Sequence, residues 1–298
     1  MNILIFSIFE LLLKQTMEVL KNKKTLQDFI ERQKEMGKKI GFAPTMGALH
    51  NGHLSLYEAA RKENDLVISS IFVNPTQFNN AEDLEKYPRD TDRDISILEN
   101  SGLVDAVYLP QVEDIYPEKT ESQHYDYDGL ENEMEGKSRP GHFDGVGTVV
   151  EELFRQVKPN NAYFGEKDFQ QLAIISKMVE KKQLPIKIIG VSIYRADNGL
   201  ALSSRNQRLT EERKDDAKII FETLIKVKEW FKNISVSEIK EKINEIFSNQ
   251  ENMELEYFLV ADESTLKEID HKENGNSYRA FIVVNVDGVR LIDNMHLD

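Results

Sequence analysis

The segment from Lys38 to Val73, KKIGFAPTMGALHNGHLSLYEAARKENDLVISSIFV, sets the architecture of the chain. Lys38–Pro44 reads as a strand that ends in a turn, and Gly52–Asn64 as a helix with Leu54, Tyr57 and Ala60 at helical spacing. Leu66–Val73 is a continuous β-rich run, the pattern of a strand buried on both faces of a parallel sheet. The same alternation continues outward, with a helix near Thr91–Ser101, a strand at Ala106–Leu109 and a helix near Gly147–Val157. It then runs through a strand at Ala162–Phe164, a helix at Phe169–Lys181 and a strand at Ile186–Ile193. This order predicts a doubly wound α/β fold on a parallel sheet, with ligands gathered at the carboxyl ends of the strands.

Composition shifts near residue 194. Two Lys/Glu-rich helical stretches, Thr210–Lys232 and Ser237–Ser248, precede strand-like runs at Leu255–Val260, Ala280–Val286 and Val289–Asp293. Asp287-Gly288 between the last two is a hairpin signal. The expected division is an N-terminal extension over residues 1–16, an α/β domain over 17–193 and a smaller α+β domain over 194–298. The run Ile3–Leu13 is the most apolar in the chain, but it is about half a membrane-spanning length and carries Glu10. It lacks the basic flank and small-residue cleavage site of a secretory signal. It is therefore read as non-membrane, with Met17 an alternative start.

Lys and Arg total 38 against 52 Asp and Glu, a formal net charge of −14 over 298 residues. A nonspecific nucleic-acid binder would need clustered basic residues, so this balance argues against one. Cysteine is absent, which removes disulfides and thiol nucleophiles and fits a reducing compartment.

Pro44-Thr45-Met46-Gly47-Ala48-Leu49-His50-Asn51-Gly52-His53 lies where the first strand passes into its helix, and a helix N-terminus attracts anions. His50 and His53, three apart, can face one phosphate, and Gly52 permits close backbone approach. No Lys follows Gly47 as a Walker A loop requires, no Gly-x-Gly-x-x-Gly is present, and His-Glu-x-x-His is missing. Taken alone, the pair suits helix capping and packing as well as phosphate binding. Asn74 and Gln77, in NPTQF, can each donate and accept toward a hydroxylated carboxylate, although Asn-Pro is also an ordinary turn signal. Glu82–Arg89 is a polar loop and a candidate lid. Arg139 and His142 in SRPGHFDGV mark either an anion-facing loop or a plain helix start. Lys167 in FGEKDFQQ can place a positive charge by a phosphate, while Asp168 can cap the next helix or sit near Mg²⁺. Ser203-Ser204-Arg205 offers two hydroxyls and a guanidinium at the domain boundary.

Together, PTMGALHNGH, IFVNPTQF, EDLEKYPR, RPGHFDGV, FGEKDFQQL and DNGLALSSRN resemble, in order and over about residues 17–298, the pantoate–β-alanine ligase (pantothenate synthetase) family. The histidine motif alone resembles only the wider nucleotidyltransferase group. The family resemblance implies a Rossmann-like fold of the HxGH type, a homodimer, a cytoplasmic location and a C-terminal domain that acts as a mobile cover. It implies that ATP and pantoate form pantoyl adenylate, which β-alanine then converts to pantothenate. By motif, His50, His53, Lys167 and Arg205 would be catalytic, with His53 the family's proton-donor position. ATP would be framed by Met46, Gly47, Ala48, Leu49, His50, Asn51, Gly52 and His53, and by Gly165, Glu166, Lys167, Asp168, Tyr194, Leu202, Ser203, Ser204 and Arg205. Gln77 and Gln171, supported by Asn74, match the pantoate positions, with Gln77 also near β-alanine. Tyr194 stands where the family commonly has a smaller apolar residue that contacts adenine through its main chain. Asn51 stands where an acidic residue is common. Mg²⁺ is implied by ATP, with no protein ligand assigned. Arg89, Arg139, Lys167, Arg195 and Arg205 lie in or beside these motifs, so the acidic total does not exclude small anions.

Overall fold

The computed structural model describes residues 16–78, 84–85 and 87–297, so most of the N-terminal extension and, within the Glu82–Arg89 loop, Glu82, Asp83 and Lys86 lie outside the described residues. Six parallel strands form one sheet: β1 (Glu18–Leu20), β2 (Ile40–Thr45), β3 (Leu66–Ile71), β4 (Ala106–Tyr108), β5 (Asn161–Gly165) and β6 (Lys187–Val191). Their order across the sheet is β1-β4-β3-β2-β5-β6. From β2 the chain winds outward through β3 and β4, then returns to lay β5 and β6 on the other side. The crevice of the topological switch point therefore opens between the carboxyl ends of β2 and β5.

Helices α1 (Lys23–Glu35), α2 (Asn51–Glu63), α3 (Thr91–Ser101), α4 (His142–Val157) and α5 (Phe169–Lys181) accompany this sheet. The expected doubly wound α/β architecture is thus observed, with differences in detail. β1 and α1 are additions to the elements expected from sequence. α1 carries Asn22 in a capping box with Thr25 and buries Leu26, Phe29, Ile30 and Gln33, which share one helix face. α4 starts at His142, five residues before the expected Gly147, because the glycine-rich turn is itself helical.

Residues 210–230 form two helices rather than one, α6 (Glu211–Asp216) and α7 (Lys218–Trp230), broken at Ala217, and α8 (Val236–Ser248) follows. The antiparallel sheet β7 (Met253–Asp262), β8 (Tyr278–Val286) and β9 (Val289–His296) completes the chain. Asp287 and Gly288 both take positive φ, 46° and 76°, as the two-residue turn of a right-twisted hairpin demands. This sheet packs with α7 and α8 around its own apolar core, including Leu224, Val227, Ile239, Ile243, Ile282 and Val284. Phe281 and Ala261 instead join the apolar cluster of the parallel sheet, and Phe281 meets Phe169 of α5 at 6.0 Å.

In that larger cluster Phe42 of β2 is fully buried and meets Phe154 of α4 edge to face at 6.3 Å. Phe42→Ala should cost about 3–5 kcal/mol in urea unfolding. Met36→Ala, at a residue 59% exposed, should stay within about 0.5 kcal/mol of the parent.

Candidate active site

A cleft of about 270 Å³ lies at the switch point, lined by residues following β2, β3, β5 and β6 and by the 202–205 segment. Met46, His50, Gly52, His53, Asn74, Gln77, Gly165, Lys167, Asp168, Gln171, Tyr194, Leu202, Ser203, Ser204 and Arg205 all line it. The motifs separated in sequence meet here because each follows the end of a parallel strand or packs against such an end.

The connection from β2 to α2 turns through two successive left-handed residues, Gly47 at φ 86° and Ala48 at φ 51°. A side chain at Gly47 would collide with Asp94, since an added Cβ falls 2.8 Å from Oδ2. Asp94, buried on α3, accepts from the N–H groups of Ala48 and Leu49, both at 2.8 Å. Those two N–H groups are thereby taken up within the protein. Gly47, Ala48 and Leu49 are not among the cleft lining, and Asn51 is exposed beside it.

His50 is the N-cap of α2, where its Nδ1 accepts from Gly52 N–H at 3.1 Å. His53 Nδ1 accepts from His50 N–H at 3.3 Å. A ring nitrogen that accepts carries no proton, so both imidazoles hold their proton on Nε2. Capping and phosphate binding are therefore compatible, since each use takes a different nitrogen. The rings lie 4.1 Å apart. Burial, reinforced by Lys167, lowers His50 to about 4, and burial with His50 beside it lowers His53 to about 3. Both are neutral Nε2–H donors at neutral pH.

Lys167 stands on the 3₁₀ turn Glu166–Asp168 that joins β5 to α5, with its ammonium 3.1 Å from Asp168 Oδ1. Asp168 makes no side-chain cap on α5. Glu166 is not among the lining residues. Opposite, Tyr194–Ala196 and Leu200–Leu202 form a small hairpin through Ala196 N–H to Leu200 O at 2.9 Å and Leu202 N–H to Tyr194 O at 3.0 Å. It delivers Ser203-Ser204-Arg205 to the cleft, and Ser204 Oγ donates to Ala48 O at 3.2 Å. Arg195 does not line the cleft; it makes a bidentate pair with buried Asp293 at 2.6 and 2.9 Å. Arg89 donates to Leu84 O and is likewise absent from the lining.

Asn74 is 1% exposed and saturated by the protein. Its amide donates to Gln77 Oε1 at 3.2 Å and Gly145 O at 3.0 Å, and its oxygen accepts from Tyr116 OH at 2.6 Å. It orients Gln77, whose Nε2 then faces Met46 Sδ at 3.0 Å. His142 donates from Nδ1 to Gln77 O at 2.8 Å, so it is the opposite tautomer from His50 and His53. Burial and Arg139 lower His142 to about 4. Tyr87 lines the cleft and meets Phe78 edge to face at 5.8 Å. Sequence reasoning does not find Asp94, the loop anchor. A buried acid on α3 has no local signature beyond the burial implied by its helix face.

Among the described residues no group of three His, Asp or Glu side chains could hold a metal ion, and no helix is long and apolar enough to cross a membrane. The family model described as pantoate-beta-alanine ligase matches residues 18–296. The pantothenate synthetase of Flavobacterium psychrophilum is 51% identical over 272 residues, 91% of this chain and 95% of that protein. That of Christiangramia forsetii is 49% identical over 282 residues, 95% of this chain and all of the relative. The crystal structure of pantothenate synthetase from Thermus thermophilus superposes with a TM-score of 0.85 at 38% identity, covering 94% of this chain and 99% of that one. The Francisella tularensis ligase, crystallised with β,γ-ATP and β-alanine, gives 0.75 at 40% identity, over 94% and 97% of the two chains. With its motifs assembled in one cleft and nearly its whole length matched, the chain belongs to the pantoate–β-alanine ligase family.

Proposed function

We propose that this chain joins pantoate to β-alanine with consumption of ATP, through a pantoyl adenylate. The observation that carries the reading is the convergence of His50, His53, Lys167 and Arg205 with Gln77 and Gln171 on one cleft. In the first step a pantoate carboxylate oxygen attacks the α-phosphorus, and the bond to pyrophosphate breaks. In the second the β-alanine amine attacks the acyl carbon, the acyl–oxygen bond to AMP breaks, and the amine loses a proton. The substrate carboxylate is the nucleophile, so the protein's task is positioning and charge neutralisation.

The Nε2–H groups of His50 and His53, the Lys167 ammonium and the Arg205 guanidinium would receive the phosphates, with Ser203 and Ser204 in support. His53 would act as a neutral hydrogen-bond donor, which modifies the proton-donor role implied by the motif. Gly165, Tyr194 and Leu202 would border the nucleoside, and Gln77 and Gln171 would hold pantoate, with Asn74 acting through Gln77. Mg²⁺ accompanying ATP would draw its ligands from phosphate oxygens and water. Residues 194–298 would form a second domain over the phosphate side, a division supported by their separate sheet and apolar core. Homodimeric assembly rests on the family resemblance, and a cytoplasmic location on that resemblance together with the cysteine-free sequence.

Incubation with ATP, pantoate and β-alanine, omitting each in turn, should give AMP and pyrophosphate only when pantoate is present. A product that keeps the nucleotide would instead identify a nucleotidyltransferase. Lys167→Ala and His53→Ala should each slow single-turnover adenylation about 10²–10³-fold, the scale for losing one transition-state charge stabiliser. Gln77→Ala should raise the pantoate KM at fixed ATP more than it lowers kcat.

Because burial lowers both histidines to about 4 or below, they bind a proton only well beneath neutrality, and protonating Nδ1 would break the helix cap. The kcat/KM for ATP should therefore show no histidine inflection between about pH 6 and 8. An acid limb near 6.5 that vanishes in His50→Gln or His53→Gln would contradict the neutral-donor assignment.

A further inference from the structure

Two consecutive residues of β9, Asp293 and Asn294, are 5% and 2% exposed, and their side chains leave the strand in opposite directions. Asn294 Nδ2 donates to Glu166 O at 2.8 Å and to Lys167 O at 2.9 Å, two carbonyls of the turn that carries Lys167. Its Oδ1 accepts from Arg279 Nη1 at 2.7 Å. Arginine cannot accept, so this contact fixes which end of the amide faces the turn. Arg279 is itself held by Glu263 at 2.7 Å and by the face of Phe169 at 3.9 Å.

Asp293 reaches the other way, to Arg195. Arg195 also donates to Gly199 O at 3.1 Å and lies over Phe221 at 4.0 Å, locking the hairpin that leads into Ser203–Arg205. Neither Asp293 nor Asn294 lines the main cleft; both line the adjoining cavity between α5 and the C-terminal sheet.

We infer that Asp293 and Asn294 are positioning residues that set the spacing of Lys167 and Arg205 across the phosphate side of the cleft. One strand grips both cation-bearing segments, one through its backbone carbonyls and the other through Arg195. The antiparallel sheet thus becomes part of the phosphate-handling machinery. Displacing a charge by about 1 Å from its working position costs up to about 10²-fold in rate, so this grip bears on catalysis as well as on folding. The inference rests on the adenylation reading above.

The test uses the full chain, with folding checked by circular dichroism and thermal unfolding. Asn294→Ala should slow single-turnover adenylation by about 10-fold or more and raise the ATP KM, leaving the pantoate KM within about twofold. Asn294→Asp keeps shape but removes both donors and should do the same; it is the deciding variant if Asn294→Ala does not fold. Asp293→Asn should also raise the ATP KM selectively. Because Asn294 acts through Lys167, the Lys167→Ala/Asn294→Ala double variant should be little slower than Lys167→Ala alone. Fully additive losses, equal damage to ATP and pantoate use, or a folded Asn294→Asp with parental kinetics would each overturn the inference. Those outcomes require an active parent enzyme; a parent that makes no AMP fails the functional reading instead.

Discussion

The backbone N–H groups between Gly47 and His53 must find acceptors while one edge of each imidazole is left for a ligand. The rest of the site is arranged around how this is met. The Asp94 carboxylate takes the N–H groups of Ala48 and Leu49, and the Nδ1 atoms of His50 and His53 take those of Gly52 and His50. A buried donor without a partner costs about 1–3 kcal/mol, so these contacts define the loop as well as decorate it. Their by-product is chemical: with Nδ1 committed, both rings are neutral and present Nε2–H.

The same arrangement appears in the other half of the cleft. Asn74 and His142 direct hydrogen bonds to Gln77, and Asn294 directs its amide to the Lys167 turn. Gln77 and the turn that carries Lys167 are thus held by buried polar groups whose own partners are fixed. Under the proposed adenylation, a cleft arranged this way would need little reorganisation as charge moves from the α-phosphate toward pyrophosphate. The acidic balance of the chain is no obstacle, because Arg139, Lys167 and Arg205 converge locally while Arg195 is neutralised by Asp293.

Much of the fold is legible in the sequence because apolar periodicity is a local signal. β2, α2 and β3 are covered by one contiguous segment, and Asp287-Gly288 suits the positive-φ geometry that a two-residue hairpin of this kind requires. β1 escapes such a reading because a three-residue edge strand is too short to show a period, whereas α1 carries a legible signal, with Leu26, Phe29, Ile30 and Gln33 at helical spacing behind the Asn22 cap. The break at Ala217 is hidden inside a run of good helix formers.

Residue types and spacing along the chain determined the α/β class, the family and the set of phosphate-facing candidates, because strand ends, glycine turns and histidine spacing are properties of neighbouring residues. Only the tertiary structure decided which of those groups face the cleft and in what proton state. The N–H groups of Ala48 and Leu49 are claimed by an acid 46 and 45 residues away, Arg195 by Asp293, and the Asn74 side chain by Tyr116 and the Gly145 carbonyl. Hydrogen-bond satisfaction is settled by what folding brings within about 3 Å, and sequence separation places no limit on that.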